Sequence, residues 1–236
     1  MSYLLLDVGN TRAKAVVFDG MALGPLQVFP DEFVRPAQLQ GVLFASVASD
    51  ERINELKTLS GLDDLPWTQL FSTATAFGLT NCYDIPTTLG VDRWLAMLGA
   101  MSRYPNQPLL VVDAGTAMTV DQVSAAGEHL GGWILPGLRM QHKAVTSHTA
   151  KVFSREFDDA QLSFGKNTDQ CLKHGILAGL CGVIQQAAQL CPAAQILLTG
   201  GDAEFLQQHL QQSAPDLAIQ VDPWLIFRGM QRYVEI

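Results

Sequence analysis

An α/β protein built from two similar halves is the fold that the sequence predicts, on three observations. Short apolar runs of strand character alternate with longer stretches of helical character. A pattern of strand, acid, turn and strand opens the chain as "LLLDVGNTRAKAVVFDG" and returns as "PLLVVDAGTAMTVDQV". Asp7 thereby has a counterpart in Asp113, close to half of a 236-residue chain later. The composition, 48% hydrophobic and 16% charged, is that of a globular protein with a substantial core. The interval is too long for a solenoid repeat. It predicts two related domains, 1–107 and 108–236, joined at "YPNQP" (Tyr104–Pro108).

The elements follow in order. Leu4–Leu6 is a buried strand with Asp7 at its edge, Gly9, Asn10 and Thr11 form a turn, and Ala13–Phe18 is the returning strand of a hairpin closed by Asp19-Gly20. The loop Met21–Asp31 is short, so the first domain reads as trimmed. "GVLFASV" (Gly41–Val47) is a buried strand, a helix is expected over Asp50–Leu59, and "TQLF" (Thr68–Phe71) reads as a short strand. A polar loop, "TNCYDIPTTLGVDR", leads into a helix from about Arg93 to Tyr104. In the second half the hairpin Pro108–Val123 is followed by a third strand, "EHLGGWILPG" (Glu128–Gly137). Helices over about Pro136–Ala150 and Thr168–Leu190 come next. Then come a strand "QILLTGG" (Gln195–Gly201), a helix to about Gln212, a short strand near Ile219–Val221 and a final helix.

Charge and cysteines bound the function. A formal net charge of −8 disfavours phosphate backbones, so nucleic acid is not the expected partner. No apolar run approaches the roughly 20 residues that a membrane helix needs, and no signal peptide is evident. Cys82, Cys171, Cys181 and Cys191 form no Cys-x-x-Cys pair and read as reduced thiols of a cytoplasmic protein. The five histidines show no zinc-ligand spacing.

The two acid-tipped turns suit a polyphosphate. Gly9 lets backbone N–H groups approach an anion, Asn10 and Thr11 add neutral donors, and Lys14 adds positive charge. Asp7 alone repels phosphate. Mg²⁺ between them reverses the sign, since it takes one or two carboxylates together with phosphate oxygens. The second turn repeats the Asp and the Gly-Thr but lacks a lysine. Two such tips facing each other would clamp a polyphosphate in a cleft between domains. The plain alternative is a pair of ordinary turns with Asx-type bonding.

Other motifs are weaker. "LTGGD" (Leu198–Asp202) is a strand, a Gly-Gly turn and a helix start; it suits either close passage of a flat ligand such as adenine or a loop that needs positive φ. In "LGVDR" (Leu89–Arg93), Asp92 is either a helix N-cap or a proton acceptor for an attacking hydroxyl. Arg93 either pairs locally or holds an acceptor carboxylate. Cys171, Cys181 and Cys191 read as core, His142 and His148 as surface or packing, and Trp94, Trp133 and Trp224 as core anchors.

The ordered set "DVGNTRAK", "YDIPTTLGVDR", "VVDAGTAMTVD", "GGWILPGLRM", "GKNTDQCLKHGI" and "LLTGGD" resembles the type III pantothenate kinases, within the superfamily of acetate and sugar kinases, heat-shock chaperones and actin. The resemblance implies two ribonuclease-H-like domains flanking an ATP cleft, and transfer of phosphate from ATP to the terminal hydroxyl of pantothenate. Asp7, Val8, Gly9, Asn10, Thr11, Arg12, Ala13 and Lys14 match the family's ATP phosphate loop, with Asp7 near Mg²⁺. Asp92 matches its proton acceptor, and Gly90, Val91, Asp92 and Arg93 its acceptor-binding segment, with Tyr83 lining the same pocket. Asp113 matches the ligand of K⁺ or NH₄⁺, and Thr116 an ATP contact. Thr168 matches a pantothenate contact at a dimer interface, so a homodimer is implied. Arg12 stands where many relatives have a neutral residue. Two rivals remain at this level: a superfamily kinase with another acceptor, and an accessory regulator of gene expression, for which the retained reactive residues are not needed.

Overall fold

The computed structural model describes residues 2–9, 12–147, 157, 159–192 and 194–234. In chain order these form β1 (Ser2–Val8), β2 (Ala13–Phe18), β3 (Gln27–Phe29), β4 (Leu39–Ser46), α1 (Asp50–Ser60), β5 (Trp67–Gln69), β6 (Thr75–Ala76) and β7 (Leu79–Thr80). A 3₁₀ turn at Pro86–Thr88 precedes α2 (Val91–Arg103), β8 (Leu109–Ala114), β9 (Ala117–Val123), β10 (His129–Pro136), α3 (Leu138–Thr146) and α4 (Thr168–Leu190). The chain ends with β11 (Gln195–Thr199), α5 (Ala203–Ser213), β12 (Ile219–Val221) and α6 (Leu225–Gln231).

The chain divides into two compact units, one of residues 1–106, 126–129 and 223–236, the other of 107–125 and 130–222. The first is built on a five-stranded sheet in the order β3-β2-β1-β4-β5. β1 and β2 are the expected antiparallel hairpin, and β1 also pairs in parallel with β4. Leu4, Leu6 and Val8 alternate onto one face of β1 and join Ala13, Ala15, Phe44 and Leu56 in a core under α1. Leu5 points the other way and is equally buried, because α6 packs against β1 and α2 against β4.

α2 and α6 cross closely. A Cβ on Gly99 would stand 1.9 Å from the Leu225 carbonyl oxygen, and one on Gly229 would stand 2.0 Å from that of Leu95. Only hydrogens fit at that crossing. Trp94, Leu95, Met97 and Leu98 on α2 are fully buried, and α6 supplies Leu225, Phe227 and Met230 to cover them. The linear division at 107/108 therefore does not describe the packing at the chain's end. Residues from Pro223 onward group with the first unit, because α2 needs an apolar cover that its own neighbours do not supply.

The second unit repeats the architecture. Its sheet runs β10-β9-β8-β11-β12, with β8 antiparallel to β9 and parallel to β11, which is parallel to β12. Leu110, Val112 and Ala114 of β8 meet Ile176, Leu177, Leu180 and Ile184 of α4 and Leu206 and Leu210 of α5 in one core. α3 and α4 lie between β10 and β11, whereas no helix stands between β3 and β4 in the first unit. The first unit is the leaner copy, as the short loop after the first hairpin predicts.

Local corrections are few. α2 starts at Val91, two residues earlier than expected, and α3 ends at Thr146. β3, β6 and β7 are too short to leave a sequence pattern. Trp94 is a core anchor, but Trp133 is 40% exposed on β10. Cys171 is exposed while Cys181 and Cys191 are buried, because α4 turns only one stripe inward. His148 lies outside the described residues.

Candidate functional site

The first turn is the tip of the β1–β2 hairpin. Register pairs Asp7 directly with Lys14, so carboxylate and ammonium sit on the same face of the sheet, both half-buried. Gly9 closes the turn by donating its N–H to the Arg12 carbonyl at 3.1 Å. That N–H is spent on the turn. Asn10 and Thr11 lie outside the described residues; Arg12 is exposed. True Asx bonding occurs at Asp19, whose carboxylate accepts from the N–H groups of Met21 and Ala22 at 2.8 and 2.7 Å. Those bonds hold its pKa below the ordinary carboxylate value.

The "LGVDR" segment belongs to the same unit. Gly90, not Asp92, is the N-cap of α2. Asp92 lies in the first helical turn, where a negative charge suits the helix dipole. Its Oδ1 accepts the Arg93 backbone N–H at 2.8 Å. This fold-back brings the carboxylate over Gly90: a Cβ there would stand 2.6 Å from Asp92 Oδ1. Arg93 is only 5% exposed, and its Nη1 donates to Tyr83 Oη at 3.0 Å. Tyr83 stacks on His129, with ring centroids 6.0 Å apart and planes inclined by 18°. The structure thus brings Tyr83 and Arg93 together across ten positions of sequence. His129, unsuspected from the sequence, becomes the back wall of that pair.

The second turn is the tip of the β8–β9 hairpin. It closes one residue tighter than the first, with Gly115 N–H donating to the Ala117 carbonyl at 3.1 Å. Asp113 is half-buried and Thr116 exposed. Two later segments pack onto this tip. Gly137 N–H donates to the Thr116 carbonyl at 2.9 Å, and Asp202 N–H to that of Ala114 at 3.0 Å. Gly200, at φ +92°, lies so close that a Cβ would be 2.4 Å from Asp113 Oδ1 and 2.5 Å from the Ala114 carbonyl oxygen. The "LTGG" turn therefore has the positive φ read from it, and it packs closely on the Asp113 carboxylate, a contact the sequence did not suggest. Asp202 is also ion-paired to Arg139 at 2.8 Å. That arginine brings a cation to an element packed on the tip that has no lysine, a residue no motif flagged.

Thr168 is the first residue of α4 and is exposed. Asn167 caps the helix, its side chain accepting the Gln170 N–H at 2.9 Å. The segment before it is held by Lys173, which is 3% exposed and bridges Asp159 at 2.8 Å and Asp169 at 3.0 Å. Burial works against the Lys173 charge, but the two carboxylates outweigh it and raise its pKa, while Lys173 lowers that of Asp159. His174 Nδ1 reaches the Ser163 carbonyl oxygen at 2.9 Å, fixing the same strap.

Among the described residues no group of three or more His, Cys, Asp or Glu could hold a metal ion, and no helix is long and apolar enough to cross a membrane. Mg²⁺ needs no such group, since it can bind through one carboxylate together with phosphate oxygens.

Comparison with known proteins gives the family. The family model described as type III pantothenate kinase matches residues 3–189. A type III pantothenate kinase of Pseudoalteromonas translucida (strain TAC 125) is 34% identical over 243 residues, covering 99% of this chain and 96% of its own. One of Colwellia psychrerythraea (strain 34H / ATCC BAA-681) is 34% identical over 246 residues, covering 98% and 99%. Among solved structures, a conserved protein assigned to the Baf family of transcriptional activators from Campylobacter jejuni superposes with a TM-score of 0.64 at 26% identity, covering 98% of this chain and 97% of that one. MreB 5 of Spiroplasma citri superposes with a TM-score of 0.52 at 10% identity, covering 98% and 95%, a likeness of fold alone. The fold is accordingly the two-domain, ribonuclease-H-like α/β architecture, and the chain belongs to the type III pantothenate kinase family.

Proposed function

We propose that this chain phosphorylates pantothenate with ATP, giving 4′-phosphopantothenate, the first step of coenzyme A biosynthesis. The observation that carries this is the family match along nearly the whole chain. Asp92 is the proton acceptor for the terminal hydroxyl. Its Oδ1 accepts the Arg93 backbone N–H, and a carboxylate offers about four lone-pair sites to proton donors. Arg93 and Tyr83 bind the acceptor with Gly90 and Val91, the guanidinium matching a carboxylate. Thr168 completes that site at the interface of a homodimer.

Residues 7–14 and Thr116 bind ATP, Lys14 placing positive charge against its phosphates. Asp7 would hold Mg²⁺ and Asp113 would hold K⁺ or NH₄⁺. When bound there, such ions would supply neutralisation of charge on the transferring phosphoryl group, the main demand of such a reaction. The enzyme works in the cytoplasm, without nucleic-acid or membrane partners, in keeping with its net charge of −8. Retention of Asp7, Lys14, Asp92, Arg93, Asp113 and Thr116 supports a kinase over an accessory regulator.

The test is ADP release with ATP, Mg²⁺ and pantothenate in K⁺, NH₄⁺ or Na⁺ buffer. Turnover that depends on pantothenate and rises with K⁺ or NH₄⁺ is expected. Its absence in every salt, from folded protein that binds ATP, would refute the proposal.

A further inference from the structure

Four cysteines are present, and their surroundings differ. Cys181 and Cys191 are buried, and burial pushes the Cys181 thiol up to about 12. Cys171 is exposed, and its Sγ donates to the Gly165 carbonyl oxygen at 3.4 Å, a group that cannot take a proton. Cys82 is exposed and shares a hydrogen bond with His129 Nδ1 at 3.4 Å. A thiol beside an imidazole is the pairing that generates reactive cysteines.

The surroundings hold this pair in place. His129 is 2% exposed. The turn that carries it is tied down by Thr80 N–H donating to the Gly127 carbonyl at 2.8 Å. Asn81, next to Cys82, accepts the Tyr83 N–H at 3.0 Å and donates to the carbonyls of Thr73 and Pro86. The same imidazole stacks on Tyr83, whose hydroxyl accepts from Arg93. A group attached to Cys82 removes the thiol proton from the contact with His129 and adds bulk one residue from Tyr83.

We infer that Cys82 is a modification site, forming a mixed disulfide with low-molecular-weight disulfides of the glutathione class, and that the adduct weakens binding of the phosphate acceptor. The second half rests on the acceptor site proposed above. In the tautomer with its proton on Nε2, His129 takes the thiol proton at Nδ1. The sulfur then attacks one sulfur of the disulfide; a new S–S bond forms at Cys82 Sγ and the old one breaks. The departing thiolate recovers the proton, so a thiol and a disulfide give a mixed disulfide and a thiol.

The experiment treats the full-length protein with glutathione disulfide at pH 7 and follows the Cys82 peptide by mass. In the native chain Cys82 is expected to react roughly tenfold faster than in the urea-unfolded chain, since an ordinary thiol is ionised to only a few per cent there. His129→Gln, checked for folding, is expected to lose that advantage. Equal rates in native and unfolded chains overturn the inference, and this comparison needs no variant. The adduct is expected to raise KM for pantothenate severalfold, to leave KM for ATP unchanged and to be reversed by dithiothreitol, with Cys82→Ser insensitive. Adduct formation with unchanged KM overturns the effect on acceptor binding. Reduced enzyme without pantothenate turnover is a failure of the proposed function, and the rates alone then judge the modification.

Discussion

Gly90→Ala separates the position of the Asp92 carboxylate from the stability of the fold. Gly90 has φ −54° and ψ 130°, a conformation open to alanine. An alanine Cβ there would stand 2.6 Å from Asp92 Oδ1, whereas ordinary contact begins at 3.4 Å. The carboxylate oxygen must therefore retreat by about 0.8 Å or swing to another rotamer. Either move stretches its bond to the Arg93 N–H, a loss of about 1 kcal/mol. Stiffening the unfolded chain returns about 0.4–1 kcal/mol. The melting temperature should stay within a few degrees of wild type.

Catalysis should not be spared in the same way, because a misplacement near 1 Å at a reacting group costs up to about 100-fold. Steady-state ADP release at saturating ATP and pantothenate is the assay, with ATP-analogue affinity measured alongside. A kcat lowered by roughly 30- to 100-fold with normal ATP affinity is expected. Wild-type kcat in a normally folded Gly90→Ala would refute the reasoning, since the carboxylate would then have moved without consequence. A melting temperature lowered by more than ten degrees or so would refute its other half, that only a side chain obstructs the new methyl.

Other expectations follow from the same contacts. Arg93→Lys keeps the charge but cannot reproduce the guanidinium bond to Tyr83. KM for pantothenate should rise roughly 10- to 100-fold, as expected for a charged hydrogen bond, with KM for ATP unchanged. Gly200→Ala puts a side chain at φ +92° against backbone and Asp113 together. It should cost about 1–3 kcal/mol in thermal unfolding and blunt the response to K⁺. Lys173→Met removes the cation shared by Asp159 and Asp169. Lys173 has a folded pKa above its ordinary 10.5, so its stabilisation is full below that and is lost as pH rises through the folded value. Asp159 has a folded pKa below its ordinary 3.8, so its share is full above that and is lost as pH falls. The gap in melting temperature between wild type and Lys173→Met should be widest near neutrality and close towards both extremes.

Both hairpins were legible because their signals are local: an apolar run, an acid at its edge, a Gly-containing turn and a second apolar run. The repeated sheet order followed from that repeat. The docking of α6 on α2 was not legible. It depends on Gly99 and Gly229, far apart in sequence, which look like any helical glycine until their carbonyl neighbours are known. Asp92 read as a cap or as a proton acceptor, because the helix start is ambiguous by a residue or two; the structure puts the cap at Gly90. Trp133 read as core because an apolar run does not say how well each residue is covered; on β10, the edge strand of its sheet, it is 40% exposed. His129 left no signal at all. Its partners, Cys82 and Tyr83, meet it only because the turn before β10 belongs to the first unit.

The most direct measurement identifies the phosphorylated product by mass after incubation with ATP, Mg²⁺, K⁺ and pantothenate, comparing wild type with Asp92→Asn. Wild type is expected to yield pantothenate carrying one phosphoryl group. Asp92→Asn should bind ATP normally and turn over roughly 10²- to 10⁴-fold more slowly, the usual worth of a positioned base. ATP consumed without phosphorylated pantothenate, or Asp92→Asn at the wild-type rate, would contradict the assignment of the acceptor or of its base.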